Sequence, residues 1–241
     1  MLISSKANPT VKHVSSLTEK KFRKEFGEFL VEGIKAVDEC ISSGAEIVQI
    51  ICSENLADKY PNAIIVTEQV FDYLSTEKTP QGVIAVVKIP QNRLVAPNGG
   101  CLLLDRLQDP GNIGTIIRTA NAAGYNDIYL INCVDPFSPK AVRASMGGIF
   151  YVNLHFGTYE EVFGVLKDVK VITADMDGED VFKFNSPQNY CLCIGNEGNG
   201  VGKEVVSRSD YTVKVPMRET CESLNAAISA GIIMYALKNN R

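Results

Sequence analysis

Three short segments of this 241-residue chain concentrate the residue types that can do chemistry. The first, DRLQDPGNIGTIIRTANAAG (105–124), opens on the turn Asp109-Pro110-Gly111, sets Asn112 where it can cap a helix, and closes that helix at Gly124. Ile113, Ile116, Ile117, Ala120 and Ala123 recur at helical spacing and form its apolar stripe. Arg118 falls off the stripe, about one and a half turns beyond Asn112. Read alone, the segment fits an ordinary solvated arginine as well as a functional one. The second, CIGNEGNGVGKEV (193–205), packs Gly195, Gly198, Gly200 and Gly202 into one strand-to-helix loop. So many glycines call for positive φ angles or a ligand pressed against the backbone. Glu197 among them can fix a substrate hydroxyl or pair with a cation. The third, VPMRETCESLNAAISAGIIMYAL (215–237), leads into a last helix beginning at Glu222 or Ser223. Its body is apolar nearly all round and so reads as deeply buried. Asn225, one turn in, then needs a hydrogen-bond partner, which a capping network would also supply.

These loops must be held by strands. CLLLD (101–105), DIYLI (127–131), VKVITAD (169–175), CLCIG (191–195) and YTVKVP (211–216) are apolar strand candidates, with helical stretches such as 112–123 and 223–238 between them. Continuous apolar strands alternating with helices predict an α/β domain whose parallel sheet is covered on both faces. Ligands in such sheets bind beyond the carboxyl ends of the strands, which is where all three segments start. The glycine loop is not a dinucleotide fingerprint: its spacing is GxGxG, and it follows a late strand. No Lys-Ser/Thr pair makes it a P-loop.

Upstream, IPQNRLVAPNGG (89–100) has the prolines, asparagines and glycines of a linker. It divides a small α/β domain over residues 1–92 from the main domain over 99–241. In the small domain, FGEFLVEGIKAVDECISSG reads as a strand entry and amphipathic helix, and IVQIICS, AIIVT and GVIAVVKI as strands.

A hydrophobic fraction of 45% and a charged fraction of 22% are ordinary for a globular protein, and no apolar run is long enough to span a membrane. The N-terminus lacks the apolar core of a signal peptide, and seven scattered cysteines fit reduced thiols, so the reading is cytoplasmic. Two histidines and no paired zinc spacing argue against a metal. The net charge of −4 argues mildly against nucleic acid, but its distribution matters more. Residues 1–24 carry Lys6, Lys12, Lys20, Lys21, Arg23 and Lys24 against Glu19 alone.

Taken together, DPGNIGTIIRTANAAG, CIGNEGNGVG and VPMRETCESLNAAISAG resemble, in order and approximate spacing, the three motifs of the SpoU family of trefoil-knotted RNA ribose methyltransferases. The resemblance covers about residues 101–241. The stretches NPTVK, FLVEG and TPQGVIAVV are similar to the ribosomal-protein-like RNA-binding domain of rRNA-methylating members. The resemblance implies S-adenosylmethionine as cofactor, a deep knot of the kind that topology rules treat as an exception, and a homodimer. It implies cofactor contacts from Gly195, Asn196, Glu197, Val215, Met217, Ser223 and Leu224. Val215 stands where the family usually has isoleucine. It implies catalytic or substrate-placing roles for Asn112, Arg118, Glu197, Ser223 and Asn225. The run SPKAVRASMGG (138–148) also resembles rRNA-methylating members, which brings Arg143 and Ser145 towards RNA, while Lys20, Lys21, Arg23 and Lys24 form the candidate grip. The implied reaction is methylation of a ribose 2′-hydroxyl in rRNA, 23S favoured over tRNA. The alternative from another class is an RNA-binding protein of the same fold without catalysis.

Overall fold

The computed structural model describes residues 2–91 and 93–240. Two units share the chain. One takes the residues up to Gln91 together with Asp135–Phe150, and the other takes those up to Val134 and from Tyr151 onward. The expected boundary near residues 90–99 is thus the first of three crossings.

The first unit holds a five-stranded sheet of β1 (Leu2–Ile3), β2 (Glu28–Glu32), β3 (Ile47–Ser53), β4 (Ile64–Val66) and β5 (Val83–Lys88), ordered β1-β4-β3-β5-β2. β5 runs antiparallel to β2 and β3, while β4 is parallel to β1 and β3. Helices α1 (Pro9–Ser16), α2 (Lys20–Phe26), α3 (Ile34–Ser42) and α4 (Glu68–Leu74) surround it. α1 starts where the Asn8 side chain accepts the Thr10 N–H and Pro9 presets the first turn. Val11, Val14 and Leu17 then pack with Phe71, Leu74, Ile84 and Val86 in one apolar core.

In the second unit, β6 (Cys101–Asp105), α5 (Pro110–Ala123) and β7 (Asp127–Ile131) come first. α6 (Pro139–Ser145) lies on the stretch that returns to the first unit. The chain then continues with β8 (Asn153–Phe156), α7 (Tyr159–Val165), β9 (Lys170–Asp180), β10 (Tyr190–Ile194), α8 (Lys203–Val206), β11 (Tyr211–Lys214) and α9 (Ala226–Asn239). The six strands form one sheet ordered β11-β9-β10-β6-β7-β8, parallel throughout as expected. After β8 the chain crosses back over, so β6 and β10 are neighbours although far apart in sequence. The loops leaving their carboxyl ends therefore face each other at the switch in strand order, where open α/β sheets bind ligands.

β9 outruns the predicted strand. Its pairing with β11 jumps between Thr212, opposite Thr173, and Val213, opposite Glu179, so residues 174–178 bulge out. α9 is less buried than its composition predicts: Ala227, Ala230, Ile233, Met234 and Leu237 are buried, while Ile228 and Tyr235 are about half exposed. Among the described residues no helix is long and apolar enough to cross a membrane.

Candidate active site

α5 begins at Pro110, two residues before the helical stretch that the sequence suggests from 112. Asp109, not Asn112, is its cap, accepting the Asn112 N–H at 3.0 Å, and Pro110 occupies the first helical position. A carboxylate competes better than an amide for this position beside the helix dipole. The Asn112 side chain is thereby released to point elsewhere. Its Nδ2 donates to Glu197 Oε1 at 2.8 Å, and its Oδ1 accepts from Asn225 Nδ2 at 2.9 Å. Asn225 is itself the cap of α9, with Oδ1 accepting the N–H groups of Ala227 and Ile228. It is exposed and precedes the helix, so neither the start at Glu222 or Ser223 nor a buried Asn225 one turn in is found. The chain Asn225–Asn112–Glu197 joins all three sequence segments, one residue from each.

Beside Glu197 opens a cavity of about 530 Å³ at the carboxyl ends of β9, β10 and β11. Gly195, Asn196 and Glu197 line one wall, and Val215, Met217, Ser223 and Leu224 another. All seven residues expected around the cofactor therefore lie on one cavity. Sequence reasoning missed its third wall, Ala174, Asp175 and Met176, which the bulge of β9 brings over. The only available signal was an acid closing the strand VKVITAD. A Cβ on Gly195 would come within 2.1 Å of the Gly200 carbonyl carbon, so only glycine allows the loop to fold back there. The cavity offers apolar walls from Met176, Val213 and Leu224, backbone polar groups along the glycine loop, and the carboxylates of Asp175 and Glu222. That donor set suits a flat heterocycle with a polar ribose and a cationic sulfonium.

Arg118 lies on the exposed face of α5, outside the cavity lining, and makes no hydrogen bond or ion pair among the described residues. Ser223 is exposed at the cavity rim.

In the first unit Lys20, Lys21 and Lys24 are exposed on α2, with Phe26 beside them. Arg23 is not part of that surface. Only 3% exposed, it pairs with Asp135 at 2.8 Å and donates to the carbonyls of Leu17 and Thr18. The reason is the returning stretch, which brings Asp135 to the inner face of α2. Ser145 is fully buried and donates to Val142 O, so it cannot touch RNA in this form. The Arg143 guanidinium pairs with Glu77 and donates to Thr76 Oγ1 at 2.9 Å, so its charge is already answered.

The glycine loop and the loop before the last helix close one cavity at the strand ends, where open α/β sheets bind ligands. Residues 100–235 match the model of the SpoU rRNA methylase family, and residues 8–85 match an MRM3-like substrate binding domain. The 23S rRNA (guanosine(2553)-2'-O)-methyltransferase RlmP of Bacillus subtilis is 32% identical over 98% of both chains. The 23S rRNA (uridine(2479)-2'-O)-methyltransferase of Streptomyces viridochromogenes is 29% identical, covering 93% of this chain and 87% of its own. The crystal structure of an AdoMet-bound rRNA methyltransferase from Sinorhizobium meliloti superposes with a TM-score of 0.90 at 29% identity, covering 99% of this chain and 97% of that one. The chain belongs to the SpoU rRNA methylase family. It transfers a methyl group from S-adenosylmethionine to a ribose 2′-hydroxyl of RNA.

Proposed function

We propose that the substrate is 23S rRNA, methylated by a homodimer in the cytoplasm, with the sheet's C-terminal loops forming the family's trefoil knot. Support for the substrate comes from the relatives named above, which act on 23S rRNA, and from the match of the first unit to a substrate binding domain. Support for a dimer comes from Ile228 and Tyr235, large apolar side chains left exposed on α9. The observation that carries the catalytic assignment is the Asn225–Asn112–Glu197 chain beside the cavity.

S-adenosylmethionine supplies a methyl group already activated by its sulfonium. What the chain's own residues must do is hold the cofactor, align the ribose and stabilise charge on its 2′-oxygen. Gly195, Asn196 and Glu197 hold one side of the cofactor and Val215, Met217, Ser223 and Leu224 the other. Asn112 and Asn225 lock Glu197 in one orientation, so that alignment is set before RNA arrives. Arg118, which has no partner among the described residues, turns its guanidinium to the 2′-oxygen and the adjacent phosphate. A guanidinium keeps its proton, so Arg118 acts as an electrostatic stabiliser of the developing alkoxide while the proton leaves to water. Lys20, Lys21 and Lys24 contact RNA phosphates.

The test incubates the protein with radiolabelled S-adenosylmethionine and total RNA from a strain lacking its gene, beside an Arg118→Ala control. Label in 23S rRNA from the wild type alone, recovered in alkali-resistant dinucleotides, is the expected result. Label confined to small RNA moves the substrate to tRNA, and cofactor binding without any methylation of free RNA moves it to an assembling ribosomal particle.

A further inference from the structure

The glycine-rich loop is fastened to the rest of its unit by two consecutive residues that its own motif does not contain. Asp105 ends β6 and is fully buried. Its Oδ2 accepts the Gly202 N–H at 2.6 Å and its Oδ1 accepts the Tyr159 hydroxyl at 2.6 Å. Arg106 Nε donates to the same carboxylate at 3.2 Å. The Arg106 guanidinium reaches on to the Gly200 carbonyl at 3.3 Å, and the Arg106 carbonyl accepts Asn196 Nδ2 at 3.0 Å. The loop is thus held at its start, its return and its exit. Between these points Asn196 and Gly200 exchange two backbone hydrogen bonds of 2.9 Å, which closes the turn carrying Glu197.

The backbone geometry has a cost that fits this arrangement. Arg106 sits at φ 57°, in the left-handed region that a side-chain-bearing residue seldom adopts. A residue held there while its side chain and its carbonyl contact one loop is over-determined by its surroundings.

We infer that Asp105 and Arg106 are positioning residues that set the glycine loop in its cofactor-receiving shape before the cofactor binds. The inference rests on the reading of the cavity as the S-adenosylmethionine site. A buried carboxylate with three donors is strongly held, and charge-assisted hydrogen bonds are about twice as strong as neutral ones. Asp105 also binds Tyr159, whose phenol is pushed up to about 12 by burial and then by that hydrogen bond, so it stays a donor. A carboxylate serving only the fold would satisfy its own unit's core. Asp105 gives one oxygen to the Gly202 N–H of the loop and to Arg106, whose guanidinium reaches the same loop at Gly200, and the other oxygen to Tyr159.

The experiment uses Arg106→Gly, because Asp105→Ala leaves buried donors without a partner and threatens folding. Glycine keeps the left-handed backbone without strain and removes the side chain with its guanidinium, leaving the backbone carbonyl that accepts from Asn196. Hydrogen exchange at the Gly200 and Gly202 amides is measured in the ligand-free full chain, with calorimetric titration of S-adenosylmethionine and a thermal melt alongside. The expected result is about tenfold faster exchange at both amides and about tenfold weaker binding, the size of one charge-assisted hydrogen bond. The melting temperature should move by no more than about 2 °C, since Arg106 is partly exposed. Arg106→Lys keeps the pairing with Asp105, lacks the second arm to Gly200, and should fall between. Unchanged exchange overturns the latch. Faster exchange with unchanged affinity overturns its purpose. A wild type that binds no S-adenosylmethionine overturns the reading of the cavity, a failure that the exchange data tell apart from failure of the latch.

Discussion

At the scale of single residues, the proposed chemistry rests on an arginine without a partner among the described residues and an asparagine with two. Asn112 is fixed from both sides, by Glu197 and Asn225, whereas Arg118 is exposed on α5 and is the residue proposed to meet RNA. If Arg118 stabilises charge as a cation, Arg118→Lys should keep measurable turnover, with kcat down by about 10²-fold against about 10³-fold for Arg118→Ala. Its rate should also stay flat between about pH 7 and 9, because a lysine remains charged there. If Arg118 instead took the proton, the lysine variant would speed up steadily as pH approached its own pKa, and a pH–rate profile separates the two. A second residue sets how the first unit responds to acid. Glu28 is buried, which works to raise its pKa, but hydrogen bonds and charge from Lys88 and His13 hold it below its ordinary value of 4.5. A carboxylate depressed in the folded state contributes stability that is complete above its unfolded pKa and lost as pH falls through the folded one. Wild-type stability should therefore decline as pH drops below about 4.5, and Glu28→Gln should be less stable at neutral pH with a flatter decline. Urea melts from pH 7 to 3 read both, and parallel curves would sink the assignment.

Helix starts and strand ends turn those residues into a site. Asn225 both caps α9 and donates to Asn112, so its two jobs can be separated. Asn225→Ala should cost about 1 kcal/mol of stability as a lost cap and also impair catalysis. Asn225→Ser keeps a capping oxygen but cannot reach Asn112 as the amide does, so it should melt close to wild type and still lose turnover. A serine variant with full activity would reduce Asn225 to a cap. Much at this scale was legible beforehand, since the apolar strands, the Gly124 stop of α5 and the three loops at strand ends follow from local pattern. The start of α5 is not legible locally because both Asp109 and Asn112 are good caps; the carboxylate is favoured beside the helix dipole, and Glu197 and Asn225 hold the released Asn112 side chain. The β9 bulge was illegible for a related reason. Strand pattern records which face a residue takes, not where a distant partner strand shifts register, so Asp175 reads only as a strand end and Met176 as the residue beyond it. Asp105 and Arg106 stood in plain view at the end of CLLLD, yet their partners lie some ninety residues on, in a loop that becomes adjacent only because β10 inserts between β9 and β6.

The assignment of chain to units is the feature of the whole molecule that local reading missed. Composition marks the linker near residue 91, but nothing in SPKAVRASMGG says that it packs against the sheet upstream of it. What draws Asp135–Phe150 into the first unit is specific: Phe137 packs on Phe29 with ring centroids 5.0 Å apart, and Asp135 pairs with the buried Arg23. This explains why a helix that looked uniformly basic spends one of its four cations inward. It also gives the last prediction. Removing Asp135 leaves the Arg23 guanidinium in the interior with, among the described residues, the carbonyls of Leu17 and Thr18 as its hydrogen-bond partners. A buried charge stripped of its counter-ion is costly, so Asp135→Ala should lose about 3 kcal/mol by urea denaturation. S-adenosylmethionine affinity should stay at the wild-type value, because every residue lining the cavity lies in the other unit. A loss below about 1 kcal/mol would mean that the two carbonyls alone hold Arg23. Replacing the pair together, as Arg23→Met with Asp135→Ala, should recover part of the loss, since an apolar side chain of similar length fills the same space without a charge to desolvate.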